Sequence, residues 1–229
     1  MKQHKHSVGK VISCETQEVL GTVFSVLWQN RAIYITAADI VPSSDGLLQK
    51  IVSQFKSSVE FEDAQGNRAK AKLVGSHTQY GLFAGLNPNI AVFEVKDSPD
   101  FCIPPFDLAK KESYKIQKAK FMTHNDDGLY TSACKTLSNN EEGFIQLTES
   151  IGEDLHLKGA PIISFSERLL FGFYNSENFM HKTKTLSPKK IANLQTLTKF
   201  AYHGRITPVV AIKNFLTEIY GGNHLDPED

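Results

Sequence analysis

The sequence is poor in the residues that staple or anchor a chain. Its three cysteines, Cys14, Cys102 and Cys134, are too few and odd in number for a disulfide framework, and they read as reduced, mostly buried thiols. No run of eighteen apolar residues occurs, and the opening MKQHKHSVGKVISCE lacks the apolar stretch of a secretory leader. A cytoplasmic location is the expectation. An excess of either charge is also missing. The 25 Lys and Arg balance 25 Asp and Glu, so no broad field draws the chain to nucleic acid or to a membrane.

Phosphate and metal signatures are lacking as well. GLFAGLNPN has neither the lysine nor the following helix of a phosphate loop. No Cys/His set has zinc-site spacing, and His4 and His6 form a loose terminal pair. No cofactor and no metal are therefore expected. Lys182, Lys184, Lys189 and Lys190 in HKTKTLSPKK carry no interleaved aromatics, and read as a solvated face rather than a nucleic-acid patch.

What the chain does have is short β-rich runs separated by turn residues. VLGTVFSVLWQN and RAIYITA form a hairpin from Val19 to Ala37 that turns at Gln29-Asn30. SVEFEDAQGNRAKAKLVG forms another around Gln65-Gly66-Asn67, and NIAVFEV is apolar enough for a strand buried on both faces. YKIQKAKFMTH, GFIQLTES, APIISFS and RLLFGFY continue the series beyond a Pro-marked connection, DSPDFCIPPFDLAKKES. Many short strands and few helices indicate an all-β sandwich or barrel. Helices come late. SPKKIANLQTLTK starts at Ser187-Pro188, and TPVVAIKNFLTEIY starts at Thr207-Pro208, with Ile212, Phe215, Leu216 and Ile219 on one face.

Taken in order, these pieces resemble the trypsin-like (chymotrypsin-fold) serine proteases, in particular the bacterial HtrA/DegP-related kind. GTVFSVLWQNRAIYITAADIV is similar to that family's strand, turn and strand ending in the base-bearing TAAH, NIAVFEV to its DLAVLKV, and IQLTESIGEDLHLKGAPI to its segment around GNSGGPL. RLLFGFYNS and GRITPVVAIKNFL resemble the strands and final helix that follow. The match runs over roughly residues 8 to 219. It implies two packed six-stranded antiparallel β-barrels with a C-terminal α-helix and a helical insertion. A barrel over about 8–98, a linker over about 99–112, a second barrel and helix over about 113–220, and a frayed tail over 221–229 would form one domain.

In that frame the histidine, aspartate and serine of a catalytic triad fall on Asp39, Asn89 and Lys158, and the oxyanion-hole glycine falls on His156. A triad needs a hydroxyl nucleophile, an imidazole base and a carboxylate that orients it, and all three are replaced. The resemblance thus implies a degenerate triad, a pseudoprotease rather than an enzyme. Asp39 and Lys158 would meet across the cleft as an ion pair, with Asn89 hydrogen-bonding from behind. His77, His124 and His203, on expected loops, and Cys134, on an expected strand, read as structural rather than catalytic. The function this leaves is protein or peptide binding, as a module or a regulatory subunit of a bacterial regulatory or defence complex, with no membrane or nucleic-acid partner. An active protease with a relocated, unconventional nucleophile is the alternative. An insertion at about 176–200 either covers the substrate groove or offers a new surface, with Phe179, Phe200 and Tyr202 as candidate contacts.

Overall fold

Gln29 and Asn30 both take positive φ, 49° and 63°, which is the geometry of a two-residue hairpin turn matched to strand twist. They join β2 (Val19–Trp28) to β3 (Arg31–Thr36), as the turn residues predict. Gly66, with φ of 84°, sits between β4 (Val59–Glu62) and β5 (Arg68–His77) in the second expected hairpin. With β1 (Val8–Ser13) and β6 (Ile90–Val95), these strands close into a six-stranded barrel in the order β1-β2-β3-β6-β5-β4. The computed structural model describes residues 7–41, 59–77, 89–96, 98–109, 117–125, 128–138, 143–147, 156–165, 169–176 and 204–221.

The second half builds a seven-stranded sheet. It comprises β7 (Asp107–Leu108), β8 (Gln117–Asn125), β9 (Gly128–Ser138), β10 (Gly143–Leu147), β11 (Pro161–Ile163), β12 (Leu169–Ser176) and β13 (Gly204–Pro208). Their order is β11-β8-β9-β10-β13-β12-β7, with an additional pairing between β11 and β12. The expected second six-stranded barrel is thus observed as a seven-stranded sheet. The extra strand, β7, comes from the Pro-marked connection and pairs parallel to β12.

Residues Gly21 to Val26 of β2 are all buried, because the two faces of this strand meet different cores. Val23 points with Val11, Phe61 and Phe93 into the barrel interior. Phe24 and Val26 join Met122, Ile163 and Phe173 of the second sheet in a core between the two halves. The α-helix α1 (Val209–Tyr220) closes that core with Ile212, Phe215 and Leu216, the apolar face read from the sequence. Its start differs by one residue. Pro208 is the N-cap, and Thr207 belongs to β13. The helical insertion expected between Pro188 and Thr198 lies outside the described residues. No helix among the described residues is long and apolar enough to cross a membrane.

Candidate functional site

Asp39 sits on a single 3₁₀ turn, Ala38–Ile40, at the end of β3. That turn is tied at two points to Asn89, the residue just before β6. The Ala38 N–H donates to the Asn89 carbonyl at 3.3 Å, and the Asp39 N–H donates to Asn89 Oδ1 at 2.9 Å. Asn89, 3 % exposed, donates its own amide Nδ2 to Asn175 Oδ1 at 2.6 Å. Asn175, buried on β12, passes the chain on by donating to Thr207 Oγ1 at 3.2 Å. This ladder fixes which way the Asn89 amide faces, and so aims its oxygen at the turn that carries Asp39.

Lys158 comes from the opposite side, on the segment His156–Ala160 ahead of β11. Its Nζ donates to Asp39 Oδ2 at 2.8 Å, so the two residues form the expected ion pair between the barrel and the second sheet. The side chains remain 42 % and 29 % exposed, so the pair stands open to solvent.

The approach of this segment is set by small residues. Gly159 adopts φ of 82°, and a Cβ there would run into the Thr22 carbonyl and the Thr36 hydroxyl. Gly21 leaves room for the Lys158 carbonyl, which accepts from the Thr22 N–H at 2.8 Å. His156 is anchored as tightly. Its N–H donates to the His124 carbonyl at 3.2 Å, and its carbonyl receives the hydroxyls of Thr22 at 2.8 Å and Thr123 at 2.7 Å. Those hydroxyls are 2.9 Å apart. Two protons serve three contacts, so two are true hydrogen bonds at any moment.

His124 departs from expectation. It is not on a loop but in β8, 3 % exposed, with Nε2 lacking a hydrogen-bond partner among the described residues. Burial first, and then the nearby Lys10 and His156, push its pKa down to about 4, against a bond to the Val8 backbone. The imidazole is therefore neutral at pH 7. His77 ends β5 with its ring edge-on to Phe215. Cys134 is buried and its thiol is pushed up to about 12 by burial, whereas Cys14 and Cys102 are exposed, correcting the reading of mostly buried thiols. His203, Phe179, Phe200 and Tyr202 lie outside the described residues. No group of three or more metal-ligating side chains is found among the described residues.

Asn175, Thr22 and Thr123 were not singled out in the sequence. Each acts through a partner 33 to 134 residues away, so no local spacing could reveal them. A cleft of about 590 Å³ lies elsewhere, lined by Lys10, Glu62 and His124 among others, and none of Asp39, Asn89 and Lys158 lines it. The chemistry-bearing contacts sit at the ion pair, and the candidate site is placed there.

No protein-family model and no curated protein matches the sequence. The fold does match solved structures. Rv3671c from Mycobacterium tuberculosis H37Rv, in the inactive form of a serine-to-alanine mutant, aligns at 14 % identity and a TM-score of 0.56, over 97 % of this chain and 90 % of that one. Kallikrein-related peptidase 10 aligns at 8 % identity over 96 % of this chain and 98 % of its own, with a TM-score of 0.59, and of 0.58 in its complex with Zn²⁺. These matches correct the sequence-based expectation that the chain is no enzyme. The scaffold is one that kallikrein-related peptidase 10 also has, and lysine is itself among the groups that can serve as nucleophile or base. The architecture is that of the trypsin-like, chymotrypsin-fold serine proteases.

Proposed function

We propose that this chain binds an extended segment of another protein at the Lys158–Asp39 site, and acts as the protein-binding component of a larger complex. In this reading Asp39, Asn89 and Lys158 stand at the positions of a catalytic histidine, aspartate and serine. The seven-stranded sheet is the second barrel of the fold, and the chain is of the HtrA-related kind. The observation that carries the reading is the pair itself. Lys158 Nζ and Asp39 Oδ2 meet at 2.8 Å where the two halves face one another, yet both side chains keep contact with solvent.

An exposed ion pair contributes little to stability, about 0–1 kcal/mol, whereas its preparation here is extensive. An asparagine ladder holds Asp39, and a glycine of positive φ brings Lys158 within reach. Side by side, an ammonium offers free N–H groups and a carboxylate offers free lone pairs. The ammonium can donate to a C=O and the carboxylate can accept from an N–H of an extended backbone.

The second reading is peptidase activity through an unconventional nucleophile, favoured by the peptidase scaffold of the structural matches. One experiment addresses both. Fluorescein-labelled unfolded casein is titrated with the protein by anisotropy, and the same samples are then resolved on a gel. Saturable binding with intact casein supports the binding reading. Shortened casein that disappears with Lys158→Ala supports the peptidase, and absence of any binding defeats the proposal.

A further inference from the structure

The outer face of the β8–β9 hairpin carries a concentration of positive charge that no carboxylate among the described residues pairs. Lys118 of β8 is the cross-strand partner of Lys135 of β9, and both are exposed. Lys120, two residues along β8 and so on the same face, is half-buried opposite Ala133. Like charges set directly opposite one another in an antiparallel pair are destabilising. The flanking strands bring no carboxylate to offset them, since the ladder partner of Lys135 on β10 is Gln146 and that of Lys120 on β11 is Ile163.

In the barrel the lysines of the strands stand opposite carboxylates in the ladder, Lys10 opposite Glu62, Lys70 opposite Glu60 and Lys72 opposite Glu94. On the barrel, Lys10 and Arg68 both reach Glu62, at 3.1 and 3.0 Å. Among the described residues, Lys118, Lys120 and Lys135 make no ion pair within 4.0 Å. Partial burial also holds the Lys120 ammonium below the usual lysine range, so an incoming anion would relieve a real cost. Phe165, 52 % exposed, follows two residues after the Ile163–Lys120 pairing.

We propose that Lys118, Lys120 and Lys135 form a docking surface for an acidic, Asp/Glu-rich segment of a protein partner. The surface uses none of the residues of the Lys158–Asp39 site. A protein segment fits better than nucleic acid because the basic face is three residues long on a chain of zero formal net charge, too short for a phosphate-tracking stripe. Carboxylates spaced along an extended acidic strand repeat at about 7 Å on one face, as do Lys118 and Lys120.

The test uses the whole protein and a fluorescein-labelled hexaglutamate peptide, followed by anisotropy from about 50 to about 200 mM salt, where screening shortens to about 7 Å. A hexathymidylate oligonucleotide and phosphatidylserine vesicles serve as contrasts. The expectation is peptide binding that weakens with salt, and weakens about tenfold in K118Q/K135Q, in line with two lost contacts of about 0.7 kcal/mol each. Lys118→Glu separates function from folding. It creates a cross-strand ion pair with Lys135, so it should raise the melting temperature by roughly 1–3 °C while abolishing peptide binding. The proposal is overturned if hexaglutamate does not bind, if Lys118→Glu binds it like the parent, or if the oligonucleotide or the vesicles bind more tightly than the peptide.

Discussion

Asn89 and Asn175 meet side chain to side chain at 2.6 Å, so the residue just ahead of β6 in the barrel and β12 in the second sheet share one buried hydrogen bond. Everything at the candidate site hangs from it. Asn89 Oδ1 holds the turn of Asp39, and Asp39 receives Lys158. Asn89→Leu leaves the Asn175 oxygen and the Asp39 N–H without partners, at about 1–3 kcal/mol for each unsatisfied group. Urea unfolding should show a loss of about 2–6 kcal/mol, and a loss under about 0.5 kcal/mol would place no weight on the ladder.

The ion pair itself behaves in the opposite way. Because Lys158 and Asp39 are 42 % and 29 % exposed, solvent screens their attraction. A double-mutant cycle on Lys158→Met and Asp39→Asn should give a coupling of no more than about 1 kcal/mol. A larger value would make the pair a structural clamp instead of an open site.

Gly159 is the least replaceable residue of the site. Gly159→Ala meets both a left-handed φ and the Thr22 carbonyl in the path of the new methyl group. Of these, the collision with backbone dominates, and together they should cost about 3 kcal/mol or more. The conservative comparison is Gly66→Ala, which has positive φ of 84° but open space around it, and should cost only about 1–2 kcal/mol. Equal losses at the two positions would contradict the close docking of Lys158 against β2.

His124 predicts an acid response. Its folded pKa is lowered to about 4 from the ordinary 6.5, so the unfolded chain takes up its proton first as pH falls. The contribution is fully present above pH 6.5 and is lost progressively between about 6.5 and 4, for a total of about 3 kcal/mol. Because His124 and its neighbour Thr123 hold His156 at both its N–H and its carbonyl, the segment carrying Lys158 should loosen first. Unfolding free energies at pH 7 and 4.5 should differ less in His124→Leu than in the parent. An unchanged slope would assign the acid sensitivity to other groups.

Local chemistry explains which parts of this fold were legible in the sequence. Gln29-Asn30 and Gly66 announce their hairpins because the turn type demands those residues, and the apolar face of α1 announces itself by period. Asp39, Asn89 and Lys158 were reachable through resemblance alone, since nothing in their own spacing marks them. His124 was misplaced because Asn125-Asp126-Asp127-Gly128 follow it and read as a loop, while β8 in fact runs through Asn125. The start of α1 shifted because Thr207 pairs with Phe173 in the β13 ladder and so belongs to the strand, leaving Pro208 as the N-cap. β7 has two residues, too short to show any period. The expectation of no enzyme failed differently, because residues at three positions were taken to decide what a shared scaffold does.

The central claim is that an extended protein segment is held at Lys158 and Asp39 and not in the cleft beside His124. The dissociation constant of labelled unfolded casein, measured for Lys158→Gln and for Gln65→Trp, tests it most directly. Gln65 lines that other cleft, and a tryptophan there would fill it. Binding should weaken about fivefold or more in Lys158→Gln, equivalent to about 1 kcal/mol, and stay at the parent value in Gln65→Trp. The reverse pattern, with Gln65→Trp weakened and Lys158→Gln unchanged, would contradict it.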